Sequence, residues 1–385
     1  MVSMVKNLFF GKNKNNQDNI DNNAIELATQ RQLIWRRFKR HRLGFSASIV
    51  VILFYLVVLF ADFLSTAPPV DYAAARGYMP PQPIKFFQNG HFMSTCEVTG
   101  QRNMETFLME FTENCDNTEG ISLFGKGYEY KLWGIISTDR HLLGMKDQTK
   151  DPNAWIHLFG TDKQGRDVFS RTMHATRVSL TIGLVGVALS IIFGIFLGAI
   201  SGYYGGLIDS LIQRFIEIVR SVPTIPLYMG LSSAFPDDWT INQVYFMITV
   251  IISLFAWTDL ARVIRGRFLA LKDEDFVTAA RLNGAKTMRV IFVHMLPSFY
   301  SHIIAQASLS LPLMIVTETS LSFLGLGLRP PAVSYGVLLK DAQNVQSVAN
   351  MPWLFIPAIA VILVILALNF MGDGIRDAAD PYQEV

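Results

Sequence analysis

The sequence predicts an all-α, polytopic membrane protein of six transmembrane helices with one large segment outside the membrane after the first. Three observations lead there. Apolar residues make up 51% of the 385 residues and charged ones only 17%, too apolar a mix for an ordinary soluble domain. The apolar residues gather into runs close to the roughly 20 residues needed to cross a hydrocarbon core. Charged residues gather between those runs, above all in WTDLARVIRGRFLALKDEDFVTAARLNGAKTMRVIFVHMLP at 257–297, with seven Lys/Arg and three Asp/Glu between Arg262 and Arg289.

Residues 1–43 read as a cytoplasmic tail. Positions 11–23, rich in Asn, Asp and Lys, have the composition of a disordered stretch. From Ala24 to Arg42, Ile25, Leu27, Leu33, Trp35 and Phe38 are interspersed with polar and basic residues. That pattern fits an interfacial amphipathic helix or a plain basic flank. Arg31, Arg36, Arg37, Lys39, Arg40 and Arg42 hold the tail inside. The first helix is assigned to 44–64, interrupted only by Ser46 and Ser48 before Asp62. Ser65-Thr66-Ala67 resembles a cleavage site, but the tail is far longer than a secretory signal's, so the helix reads as an uncleaved anchor.

Residues 65–177 are expected outside the cytoplasm, too long for a simple connection. Pro68, Pro69, Pro80, Pro81 and Pro83 argue against a long helix in the first third. Phe86, Phe87, Phe92, Tyr128, Tyr130 and Trp133 argue for a small packed domain. Cys96 and Cys115 are either two free thiols or a disulfide, whose closed loop would contribute on the order of 3 kcal/mol. His91, His141 and His157 are too scattered to nominate as ligands, and no metal site is expected.

The membrane core is assigned to 178–371. Its runs cover 179–201, 222–235, 242–260, 299–317 and 353–371. The run at 222–235 is short and reaches full length only by starting near Ile212 and admitting Glu217 and Arg220, so five crossings stand as the alternative to six. Six crossings put the loop 262–298 and the tail 372–385 on the same cytoplasmic side as the N-terminus. Gly194 and Gly198 make a small-x-x-x-small face, suited to close helix packing or else turned to lipid. Gly202, Gly205 and Gly206 permit a tight turn. Glu318, with Ser320 and Ser322 after it, lines a passage or outer gate or else reaches headgroups.

Within the charged loop, Asp275 is placed to cap a helix beginning FVTAARL, with Asp273 and Glu274 adding to the favourable charge at its positive end. Ala279 and Ala280 are small enough for another surface to approach. Gly284 suits a helix end. A second short helix is expected next, with Pro297 where the chain turns into the following span. Two short helices about a glycine would make a rigid peg.

These residues carry a resemblance. The loop signature of the oligopeptide/dipeptide ABC importer permeases reads Glu-Ala-Ala, three residues, Gly, nine residues, Ile-x-Leu-Pro. Thr278, Ala279, Ala280, Gly284, His294, Leu296 and Pro297 stand at those positions, with Thr278 replacing the acid and His294 the apolar residue. HLFGTDKQGRDVFSRTMHATRVSL (157–180), GYYGGLIDSLIQRFIEIVRSVPTIPL (202–227), SFLGLGLRPPAVSYGVLL (322–339) and NFMGDGIRDAADP (369–381) are similar to further family blocks, in order. The chain resembles the C-type subunit, in the branch with an enlarged periplasmic segment.

The resemblance implies the type I importer permease fold in a bacterial inner membrane. It further implies a B-type permease partner, two ABC ATPase subunits gripping the Asp275–Pro297 peg, and a substrate-binding protein delivering a peptide. No cofactor is expected on this chain, ATP and Mg being used by the ATPases, and nucleic acid is not an expected partner. The chain has no Gly-x-x-x-x-Gly-Lys-Ser/Thr loop and no clustered catalytic motif, so a non-catalytic role is expected. Nickel or another small solute is the alternative cargo, and a transporter working without ATPases the more distant alternative.

Overall fold

The computed structural model describes residues 30–88, 91–104, 109–146, 155–236, 238–344 and 349–379. The stretch 11–23 and the last six residues of the C-terminal tail lie outside them. In chain order the helices are α1 (Gln30–Arg40), α2 (Arg42–Leu64), α3 (Val168–Tyr204), α4 (Gly206–Ser221), α5 (Thr224–Ser233), α6 (Ile241–Leu271), α7 (Asp275–Leu282), α8 (Thr287–Phe323), α9 (Tyr335–Ala342) and α10 (Pro352–Ala379). Among the described residues α2, α3, α6, α8 and α10 are long and apolar enough to cross a membrane.

Two expectations need correction. The run at 212–235 is not one helix. It breaks at Val222, which is extended at φ −86° and ψ 128° before Pro223. A proline lacks the N–H that continues a helix and pushes the residue before it out of the helical region. Nor is the chain all-α. Between α2 and α3 the strands β1 (Lys85–Gln88), β2 (His91–Arg102), β3 (Met109–Leu123) and β6 (Leu143–Met145) form an antiparallel sheet in the order β1-β2-β3-β6. Strands β4 (Lys126–Leu132) and β5 (Ile136–Arg140) form a separate hairpin. The sheet's apolar side is small, with Met93, Ile121, Met145 and Ile156 buried together. Cys96 and Cys115 are bonded to each other across β2 and β3.

The β module is fastened to the end of α2. Phe63 O accepts Leu142 N–H at 2.8 Å, and His141 Nδ1 lies 3.0 Å from Asp62 O. Asp62 also ties α2 to α3, its carboxylate lying 3.0 Å from His174 Nε2 and 2.7 Å from Arg177 Nη2. Ionised groups near a hydrocarbon core are costly unless paired, and here one carboxylate satisfies two basic side chains. Helix α3 starts at Val168 behind Asp167, whose carboxylate accepts Ser170 N–H at 2.6 Å. Its first turns therefore cover residues that composition assigns to the outer segment.

Helix α3 is the axis of the bundle. In lipid the hydrophobic effect does little to bring helices together, so small residues that let backbones approach supply much of the attraction. Gly183, Gly186, Ser190, Gly194, Gly198 and Gly202 recur every three or four residues along α3, and all are buried. A Cβ on Gly198 would lie 2.6 Å from Ala261 O, and one on Gly202 the same distance from Phe268 Cβ. Both therefore pack on α6, which settles the orientation of Gly198 and takes Gly202 out of the turn. The turn itself falls to Gly205 and Gly206, at φ 65° and 55°. At the same end of the bundle the backbones of Gly44 in α2 and Gly374 in α10 touch, a Cβ on either meeting the other's Cα at 2.9 Å. Helix α1 packs there through buried Phe38, while Trp35 stays exposed.

Leucine at Gly198 is expected to destabilise the protein by about 1–3 kcal/mol through overpacking against the α6 backbone. Alanine at Gly230, which faces open space within α5, is expected to be neutral or stabilising by up to about 1 kcal/mol. Thermal unfolding of the purified protein in detergent checks both, and an unchanged melting temperature for G198L contradicts the packing argument.

Candidate functional site

The charged loop folds around α7. Glu274, extended at φ −67° and ψ 149°, precedes the helix as its cap residue without a side-chain hydrogen bond. Asp275 is thus not the cap; it stands exposed in the first turn, where a carboxylate still favours the helix dipole. The helix closes in a Schellman turn. Gly284 takes φ 76°, its N–H donates to Arg281 O at 2.9 Å, and Ala285 N–H donates to Ala280 O at 3.1 Å.

The two faces of α7 differ. Val277 and Ala280 are buried in a cluster with Ala199 of α3, Leu260, Ile264 and Phe268 of α6, and Val290, Ile291, Met295 and Leu296 of α8. Phe276, Thr278, Ala279 and Leu282 face solvent, with Leu282 84% exposed. Beside them Arg281 lies over the Tyr203 ring at 5.1 Å, a cation–π contact between α7 and the end of α3. Ala280 therefore belongs to the anchoring side and Ala279 to the free side.

The expected second short helix does not stand alone. From Thr287 the chain runs through a π segment, Val290–Met295, and a 3₁₀ turn, Leu296–Phe299, directly into the long helical segment Tyr300–Phe323. Pro297 falls in the first turn of the 3₁₀ piece, where a missing N–H costs little. The structure brings Ala280 and Leu296 together in the buried cluster. Asp275, Thr278, Ala279, Gly284 and Pro297 remain exposed, and His294 is half-buried.

Beside this cluster a cavity of 610 Å³ lies between α4, α5, α6 and α8. Its polar lining includes Arg220, Thr258, Asp259, Arg262, Gln306 and Ser310. Arg220 of α4 and Asp259 of α6 form an ion pair there. Next to it Asp209 takes both Arg265 nitrogens at 2.5 Å, fastening the start of α4 to α6. None of these side chains is singled out by the sequence reading as a pathway group. A signal for them exists, since Arg220, Asp259 and Arg262 are ionisable residues in or beside apolar runs.

Glu318 is placed differently from either expectation. It is fully buried at the end of α8 nearest the β module, with Oε2 accepting Ser179 Oγ at 2.7 Å and Oε1 accepting Ser322 Oγ at 2.8 Å. Ser322 Oγ in turn accepts Leu328 N–H at 3.1 Å, and Thr176 Oγ1 lies 2.6 Å from the Tyr335 hydroxyl. These bonds knot α3, α8 and α9 together. Ser320 is half-buried two residues from Glu318, and its carbonyl accepts Leu324 N–H at 3.0 Å at the helix end.

Comparison with known proteins identifies the chain. Residues 194–384 match the family model of the binding-protein-dependent transport system inner membrane component, and residues 29–81 match that of the N-terminal TM domain of oligopeptide transport permease C. The chain is 42% identical over 255 residues to the oligopeptide transport system permease protein OppC of Haemophilus influenzae, covering 66% of this chain and 76% of that one. It is 34% identical to OppC of Bacillus subtilis, over 66% of this chain and 77% of the relative. The dipeptide transport system permease protein DppC of the same organism is 37% identical, over 62% and 72%. Among solved structures, the MetNI methionine ABC transporter in inward-facing conformations has a chain similar at TM-score 0.40 and 16% identity, covering 53% of this chain and 93% of that one. The chain belongs to the inner-membrane permease family of binding-protein-dependent transport systems, in its oligopeptide and dipeptide permease C branch.

Proposed function

We propose that this permease subunit forms one half of a peptide pathway, with a B-type permease as the other half, and that α7 is the point at which two ABC ATPases drive it. The observation that carries the reading is the two-faced α7. One face is free and partly apolar; the other is packed into the cluster that joins α3, α6 and α8. Movement imposed on Phe276, Thr278, Ala279 and Leu282 is thereby handed to α6 and α8, which line the 610 Å³ cavity. Coupling of this kind needs two sites joined by an element with two arrangements, and the cluster supplies the rigid joint.

In this reading α4 and α5 together make the sixth crossing of a type I permease. Their 16 and 10 residues span about 39 Å at 1.5 Å per residue, enough for a core of about 30 Å even with a break at Pro223. Six crossings leave α1, α7 and the C-terminal tail on the cytoplasmic side of a bacterial inner membrane, and the β module on the side from which a substrate-binding protein delivers its cargo. ATP and Mg belong to the ATPases, and this chain supplies no catalytic group. Peptide is the favoured substrate because the named relatives are oligopeptide and dipeptide permeases. The polar and charged lining of the cavity, in which Arg220, Asp259 and Arg262 offer both signs of charge, suits a zwitterionic chain.

Gly284 sits at φ 76° with no neighbouring atom in the way of a side chain, so valine there strains the backbone by about 1–2 kcal/mol rather than clashing. G284V is expected to insert normally yet lose most uptake in reconstituted vesicles. L282D, on a residue that makes no buried contact, is expected to keep the melting temperature and to weaken ATPase retention roughly tenfold during copurification. Wild-type uptake and full ATPase recovery in both variants exclude α7 as the drive point. Uptake of labelled di- and oligopeptides, set against nickel, tests the cargo. Peptide-independent nickel uptake by the assembled complex contradicts the peptide reading.

A further inference from the structure

The β4–β5 hairpin carries a feature that transport does not explain. It descends alongside the outside of α2. At its turn the Trp133 indole N–H donates to Leu59 O at 3.0 Å, and the Trp133 ring lies 5.8 Å from that of Phe60. Leu59 is five residues before the end of α2 at Leu64, so at 1.5 Å per residue the contact lies about 7 Å below the helix end. Nearby on α2, Ile52, Leu53 and Leu56 are exposed, apolar and directed away from the bundle. The hairpin tip is therefore level with the flank of a spanning helix, not above it.

The chemistry of the tip changes with depth. Lys131 and Asp139 lie on the strands; the residues from Leu132 to Ile136 read LWGII and contain no ionisable group. Trp133, Ile135 and Ile136 are all more than half exposed, Ile135 at 83%. In water such a cluster is unfavourable. Two backbone donors of the turn are nevertheless paired within it, Gly134 N–H donating to Lys131 O at 3.0 Å and Ile135 N–H to Leu132 O at 3.1 Å. The one polar side-chain group of the tip, the indole N–H, is used on α2. Polypeptide can enter hydrocarbon only with its polar groups paired in this way. Tryptophan at the boundary, with charged residues on the water side of it, is the pattern of a membrane interface.

We propose that the β4–β5 hairpin is a membrane-inserted anchor, its tip at 133–136 buried in the lipid leaflet beside α2. Lipid is the occupant because the tip continues the apolar flank of a spanning helix at the same level. The anchor holds the β module at a fixed height and tilt over the bundle, and its contact with lipid does not depend on the cargo.

The test uses the full chain in its complex. Cys96 and Cys115 are the native cysteines and are bonded to each other, so a single introduced thiol can be labelled. I135C and, as a reference at the far end of the β2–β3 pair, Q101C are each labelled with a nitrobenzoxadiazole dye. The complexes are reconstituted in phosphatidylethanolamine/phosphatidylglycerol vesicles with or without lipids carrying a nitroxide on the upper acyl chain. The dye at Ile135→Cys is expected to emit at shorter wavelength, to be quenched by the nitroxide lipid and to be shielded from aqueous iodide. At Gln101→Cys the pattern is expected to reverse. Equal iodide quenching at the two sites places the tip in water and overturns the proposal. Shielding of Ile135→Cys from both quenchers means that protein covers it, which overturns it too.

Discussion

The close contact of α3 with α6 is the constraint on which the other parts depend. Gly198 and Gly202 bring α3 directly against the α6 backbone at Ala261 and Arg265, and the Leu260 side chain of α6 fills the space at Gly194. Because α3 is 37 residues long, this contact also fixes the relation between the two ends of the molecule. At one end His174 and Arg177 hold α2, whose last turn carries the β module. At the other, Ala199 and Tyr203 hold α7. A shift of α6 against α3 cannot be absorbed by side-chain rotation where backbone meets a glycine, so α6 moves with α3 or the contact opens as a unit.

The charged groups divide along the same axis. Near the β module they are largely buried and paired with one another. Asp162 accepts Arg166 Nε at 2.7 Å and Arg171 Nη1 at 3.0 Å, and Arg166 Nη2 reaches Asp341 at 3.0 Å. Burial pushes the Asp341 carboxyl above its ordinary range, and Arg171 and Arg166 beside it pull the other way. Removing one member of such a network leaves a buried charge alone, a loss of about 3–5 kcal/mol, so this end is held rigid. Around the cavity the pair of Arg220 and Asp259 is much more accessible to solvent. Exposed pairs are worth about 1 kcal/mol or less, so this one can exchange partners at little cost. Rigidity at the β-module end and adaptable charge at the cavity suit a bundle that moves about its middle and at its α7 end.

The apolar runs of the sequence correspond to the five long helices because length and composition alone decide whether a segment can cross lipid. The run at 212–235 is harder to read, since its apolar residues continue across Pro223 and only the backbone shows the interruption. Gly284 is legible because a helix end requires a positive φ that few other residues adopt. The division of α7 into an anchored and a free face is half-legible: Ala279 and Ala280 look alike as letters, and only the position of the α3–α6–α8 cluster separates them. The strands of the β module are the least legible. Tyr128, Tyr130 and Leu132 do recur with the period of a strand, and Gly134 marks a turn. In β2 and β3, however, Thr, Asn, Glu and Gly dilute that signal, and the partners are set by tertiary pairing. Glu318 is misread for a related reason. A lone acid in an apolar run is a good sign of a special environment, but the hydroxyls that receive it, on Ser179 and Ser322, come from two helices.

The knot around Glu318 bears on where the bundle can open. Ser179, Glu318, Ser322, Thr176 and Tyr335 join α3, α8 and α9 through bonds of 2.6 to 2.8 Å among buried groups. In a medium without water each broken bond leaves a polar group unpaired, so separation of α8 from α3 at this end is costly. Gly336 adds a steric lock, since a Cβ there would lie 2.3 Å from Thr319 O. At the other end, α8 begins with a π segment and a 3₁₀ turn, whose hydrogen bonds are less regular than those of the helix that follows. The cheaper distortion is therefore at the α7 end. A displacement of α7 is expected to bend α8 around Val290–Phe299 and widen or narrow the cavity there, while the knot keeps α3 and α8 in register above it.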